Sequence, residues 1–152
     1  MPDMFSTEQK KPEIVNERNI SGEELIERCR ETLSRTPGIR LAMIYGFAVT
    51  GRMRPDSDVD VAVLYENGLN LDERLSLIDR LSSACRREID LTDLHEIGGE
   101  ILRQILCKGR VLIKADSAAY YRLAQRMIYN EADFMPLIRR AQKERLRRFL
   151  DG

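Results

Sequence analysis

Apolar and polar positions divide the chain into short apolar runs alternating with helical stretches. Ser21-Gly22-Glu23-Glu24 has the form of a capping box, with Ser21 as N-cap and Glu24 reaching back. Leu25, Ile26, Cys29 and Leu33 follow at helical spacing, and Pro37-Gly38 stops the helix by Thr36. Ile39 to Tyr45 is an apolar run after a turn, which predicts a strand. Asp58 to Leu64, rich in Val, predicts a second strand that Glu66-Asn67-Gly68 ends. Asn70-Leu71-Asp72-Glu73 is another capping pattern, and Leu71, Leu75, Ile78, Leu81 and Cys85 continue it as a helix. A third strand is predicted over Glu88 to Leu94, a helix over Glu100 to Cys107 closed by Gly109, and a fourth strand over Arg110 to Lys114. Beyond Asp116 the pattern is helical, with Tyr120, Leu123, Ala124, Met127 and Ile128 on one face. A second helical stretch is predicted to begin near Ala132 or Phe134.

This order of elements predicts an α/β fold: a small mixed β-sheet flanked by helices, with a helical C-terminus. Residues 1–20 read as a flexible arm, residues 21–115 as the α/β domain, and residues 116–152 as a helical segment packed on it. A length of 152 residues fits one domain. Lys and Arg number 25, as do Asp and Glu, so no global field of either sign draws in nucleic acid. No apolar run approaches the roughly 18 residues of a membrane span. The start of the chain lacks the apolar core of a secretory signal, and the cytoplasm is the expected location. Cys29, Cys85 and Cys107 are odd in number without C-x-x-C spacing, which argues for buried thiols over a disulfide framework or a zinc site.

The chemistry gathers between the first two strands. Asp58 and Asp60 alternate with Val at the head of a strand, so both carboxylates project from one face. Like charges so close repel unless a cation lies between them, and hard oxygen ligands beside phosphates suit Mg²⁺. Gly46 ends the first strand, where a missing side chain lets backbone approach a phosphate; Gly51 allows a second bend. A third carboxylate sits in the third strand. Asp90 is favoured over Asp93 there, because Ile89 and Leu91 share the opposite face, although a one-residue slip reverses the choice. Each piece alone also suits an ordinary turn or a solvated strand end.

Taken together, Tyr45-Gly46-Phe47, residues 48–57 and Asp58-Val59-Asp60, with Arg54-Pro55-Asp56-Ser57 before the acidic pair, resemble the polymerase-beta-like nucleotidyltransferase superfamily. The chain is most similar to its minimal members, the MNT antitoxins paired with HEPN toxins. The family pattern is Gly-Ser, ten residues, then Asp-x-Asp; the spacing from Gly46 to Asp60 matches it, and the resemblance covers roughly residues 20–115. The resemblance implies a nucleotidyltransferase fold and Mg²⁺-dependent transfer of AMP from ATP to a hydroxyl, with a tyrosine of a HEPN toxin as acceptor. It implies metal ligation by Asp58, Asp60 and Asp90, with Asp90 also activating the acceptor. It implies nucleotide contacts at Gly46, Phe47, Gly51 and Ser57.

One departure stands out. Phe47 replaces the Ser of the pattern and has no side-chain donor. A hydrogen bond lost to a charged group costs about 1.5–3 kcal/mol. A second reading is therefore an antitoxin of the same fold, impaired in catalysis, that neutralises its toxin by binding. A third is a nucleic-acid-binding accessory protein that uses the basic run 139–148; only Phe149 lies near it for stacking, which disfavours that reading. Arg52 and Arg54 flank the loop and suit a triphosphate's charge. His95, the sole histidine, reads as structural or solvated. Tyr120, Tyr121 and Tyr129 read as core or interface. A homo-oligomer stays open.

Overall fold

The computed structural model describes residues 20–52, 54 and 56–151, and the expected N-terminal arm lies outside them. The elements in chain order are α1 (Gly22–Ser34), β1 (Ile39–Tyr45), α2 (Phe47–Thr50), β2 (Val59–Tyr65), α3 (Leu71–Cys85), β3 (Ile89–Asp93), α4 (Gly99–Lys108), β4 (Arg110–Lys114) and α5 (Ser117–Asp151). The strands form one sheet in the order β3-β2-β1-β4. β1 is antiparallel to β2 and to β4, whereas β2 and β3 are parallel. Parallel neighbours need a long crossover, and α3 supplies it. The mixed sheet expected from the sequence is the one observed.

Side-chain alternation sorts the strands into two cores. Ala42, Ile44, Val59, Val61, Val63 and Leu91 face α1 and α3, where Leu25, Leu33, Leu77 and Leu81 are buried. Leu41, Met43, Ala62 and Leu64 face α4 and α5, against Leu102, Ile105 and Leu123. Each Val, Leu, Ile or Met among them contributes about 1.5–3 kcal/mol by leaving water. β1 and β2 are covered on both faces, which explains their near-continuous apolar sequence.

The helix starts differ in one respect from expectation. At α3 the capping box is complete: Asn70 Oδ1 accepts from the Glu73 amide at 2.8 Å, and the Asn70 amide donates to Glu73 Oε2 at 3.4 Å. At α1 only half forms. Ser21 Oγ accepts from the Glu24 amide at 3.2 Å, but the Glu24 carboxylate pairs with Arg28 at 2.9 Å. An i,i+4 guanidinium is a stronger partner for a carboxylate than a backbone amide.

Two further differences concern the second half of the chain. α5 is one continuous helix through residues 117–151, not two stretches broken near Ala132 or Phe134; no glycine interrupts it, and it runs on through Pro136. Of the cysteines, Cys29 and Cys85 are buried with their Sγ atoms 3.1 Å apart, while Cys107 is exposed. Cys107 lies near the end of α4, on the side turned from the Leu102–Ile105 stripe. No helix among the described residues is long and apolar enough to cross a membrane.

Candidate active site

The end of the sheet formed by the last residue of β1 and the first residues of β2 and β3 gathers the carboxylates. Tyr45 pairs with Asp60 across β1 and β2, and Asp60 pairs with Asp90 across β2 and β3. Asp60 and Asp90 therefore stand side by side on the face covered by α4. Burial raises the Asp60 carboxyl above its ordinary value, and the charges of Asp90 and Asp58 raise it further. Asp58 lies just before β2 and is exposed, as is Asp90. Asp93 falls on the opposite face and is buried, its Oδ1 accepting from the His95 amide at 2.9 Å. It serves a turn, and of the two candidates only Asp90 adjoins Asp60.

Gly46 closes the site from the β1 side. It has φ +72°, and a Cβ built there would overlap Asp60 Oδ2 and stand 3.3 Å from its Cγ. No other residue fits between β1 and this carboxylate without displacing it. The next residue begins α2, a helix of one turn (Phe47–Thr50), with Gly51 ending it in the left-handed conformation at φ +74°. Phe47 is 55% exposed, so its ring is not a core side chain.

The loop from α2 to β2 is tied down by two devices. Ser57 and Arg54 form a turn: the Arg54 amide donates to Ser57 Oγ at 2.9 Å, and the Ser57 amide to the Arg54 carbonyl at 3.0 Å. Arg87, reaching from the end of α3, donates from Nη1 to the carbonyls of Arg54 and Ser57. The segment that delivers Asp58 is thereby fastened to the segment that delivers Asp90.

Beside the carboxylates opens a cleft of about 330 Å³, lined by Tyr45, Gly46, Phe47, Thr50, Arg52, Asp60, Gln104 and Lys108. Of the sequence candidates, Gly46, Phe47, Arg52 and Asp60 line it, whereas Asp58 and Asp90 stand outside its lining. Gly51 and Ser57 do not line it either; both shape the loop. The sequence reading missed Gln104 and Lys108, which arrive from α4. The pairing of Ile44 with Arg110 in β4 carries the end of α4 to the head of the sheet. The signal was a cation directly before the helix-ending Gly109, legible only once β4 is placed beside β1. It also missed Tyr45, whose hydroxyl meets Thr92 Oγ1 at 3.0 Å across the face that holds Asp60 and Asp90. Burial, with the two acids adding to it, raises the Tyr45 phenol, although the Thr92 bond opposes this.

The donor set suits a hard divalent cation. It consists of carboxylate oxygens at the head of β2 and β3, with the Asp60 carboxyl held above its ordinary value by burial and then by its acidic neighbours, in a cradle that a Cβ at position 46 would fill. Among the described residues no group of three or more His, Cys, Asp or Glu side chains is placed so as to hold a metal ion. A carboxylate pair such as Asp60 and Asp90 leaves most of a cation's positions to other oxygens.

The fold is that of a nucleotidyltransferase domain. Residues 27–118 match the family described as polymerase beta, nucleotidyltransferase, and the chain belongs to it. Among known proteins it is similar to the protein adenylyltransferase MntA of Shewanella oneidensis, at 26% identity over 95 residues, covering 62% of this chain and 66% of that protein. The chain thus spans just under two thirds of that relative's length. Its fold matches a chain from a toxin-antitoxin crystal structure with AMP-PNP, with TM-score 0.59 and 23% identity over 81% of this chain and 99% of that one. It also matches a chain from the complex of tri-AMPylated Shewanella oneidensis HEPN toxin with MNT antitoxin, with TM-score 0.54 and 20% identity over 82% of this chain and 98% of that one.

Proposed function

We propose that this chain is an MNT-type antitoxin that moves AMP from ATP to a hydroxyl, the acceptor being a tyrosine of a HEPN-family toxin, in the cytoplasm. The observation that carries the reading is the pairing of Asp60 with Asp90 beside Gly46, at the mouth of a cleft with cationic walls. The relative's adenylyltransferase name and the AMPylated HEPN toxin in a structural neighbour support the chemistry and the acceptor.

In this reading Asp58, Asp60 and Asp90 hold Mg²⁺. That ion would supply positive charge against a bound triphosphate. The Gly46 turn and the Phe47 backbone N–H meet the β/γ-phosphates, and Arg52 and Lys108, which have no side-chain partner among the described residues, face them across the cleft. Asp90 accepts the proton of the attacking hydroxyl. The oxygen–Pα bond forms as the bond from Pα to the bridging oxygen of pyrophosphate breaks, and the groups on the cleft walls hold the two in line.

The exposed ring of Phe47 favours a second reading, in which turnover is weak and neutralisation rests on binding. Calorimetric titration with ATP and Mg²⁺ tests the nucleotide site. Saturable binding that Asp60→Asn weakens is expected, and no binding at millimolar ATP contradicts the enzyme reading.

A further inference from the structure

The face of the sheet that bears Asp60 carries a second cleft at the other end of its strands. Its volume is about 260 Å³. Arg40, near the start of β1, His95, just past β3, and Arg122 and Arg126 from α5 line it together with apolar Leu64 and Leu123. No carboxylate is among its lining residues, whereas Asp60 lines the first cleft.

The guanidinium groups are held in place with less countercharge than they carry. Arg126 donates from Nη2 to the carbonyls of Leu94 and Ile97 at 2.8 and 2.7 Å, and no acid pairs with it among the described residues. Its Nε is buried without a partner. Arg40 and Arg122 share Asp116, whose Oδ2 stands 3.8 and 3.7 Å from them, beyond hydrogen-bond reach. That carboxylate is already engaged, its Oδ1 accepting from the Ala118 and Ala119 amides at the start of α5. Arg40 also pairs with Glu66 at 2.9 Å. Three guanidiniums thus meet two carboxylates, and neither carboxylate lines the cleft.

We propose that this second cleft binds a small organic phosphate. The forked donors of Arg122 match a phosphate group, Arg126 adds its remaining Nη1 donors and its charge, and Leu64 and Leu123 take the organic part. The bound molecule would join α5 to the ends of β1 and β2, away from the carboxylates.

Calorimetric titration of the full chain with phenyl phosphate and with inorganic phosphate, at matched ionic strength, tests this. One saturable site is expected, with phenyl phosphate bound about tenfold more tightly because its ring covers apolar wall. Arg122→Gln, at a side chain 63% exposed and so safe for folding, should weaken binding about tenfold or more. Arg126→Gln should do the same where it folds. Lys108→Gln, which removes a cation from the first cleft, should leave binding unchanged. The proposal is overturned by an absence of saturable binding, by an Arg122→Gln variant that binds as tightly as the parent, or by loss of binding in Lys108→Gln. Equal affinity for the two probes overturns the organic-phosphate assignment and leaves a plain phosphate site.

Discussion

Gly46 lies against the carboxylate of Asp60, with φ +72° and no room for a Cβ between its Cα and that side chain. The turn that ends β1 and the acid that opens β2 are therefore one structural unit. Gly46→Ala should cost about 1–3 kcal/mol for the backbone conformation and push Asp60 out of place. Urea denaturation should show the lost stability, and ATP binding should fall with it. A variant as stable and as active as the parent would show that this contact is dispensable.

Asp60 links the site to pH. Its carboxyl is raised by burial and by the charges of Asp90 and Asp58, so the folded chain holds the proton more tightly than the unfolded chain. For this group, stability is full below the ordinary carboxylate pKa and is lost as pH rises through the raised one. At neutral pH without divalent ions, Asp60→Asn should melt at the same temperature as the parent or higher. Mg²⁺ should raise the melting temperature of the parent and not of the variant. Asp58→Asn and Asp60→Asn should both abolish transfer while remaining folded; if both unfold, the carboxylates are structural.

Arg87 holds the carbonyls of Arg54 and Ser57, just before Asp58. Arg87→Ala should loosen that loop without opening the core. Titration should show a higher Mg²⁺ requirement at little change in melting temperature, and Arg87→Lys should restore part of it. An unchanged Mg²⁺ dependence would mean that the loop keeps its shape unaided.

Phe47 stands 55% exposed in the wall of the first cleft. Removing an exposed ring leaves no core cavity, and Ser adds a donor. Phe47→Ser should keep or raise transfer activity at unchanged stability. A marked loss of activity would give the ring a binding role of its own.

Much of this was legible in the sequence because local rules and tertiary demands agree. The apolar runs at 39–45 and 110–114 became strands, and Asn70 with Glu73 formed the predicted capping box. Asp58, Asp60 and Gly46 were legible because their spacing follows from one strand, one turn and the next strand. The preference for Asp90 over Asp93 rested on alternation alone, and the parallel pairing of β2 with β3 supplies the reason Asp90 meets Asp60. Lys108 and Gln104 were not legible, since nothing local says that α4 ends beside Tyr45. Cys107 shows the opposite limit: an apolar neighbourhood in sequence did not put it inside, because a helix buries only one stripe.

The central claim is that the acids at the head of β2 and β3 serve nucleotidyl transfer. The most direct measurement supplies ATP labelled at the α-phosphate, with Mg²⁺, to this chain and a co-expressed HEPN partner. Label bound covalently to a tyrosine of the partner, and absent with Asp60→Asn, is the predicted result. No label with the parent chain, or equal labelling with Asp60→Asn, would contradict it.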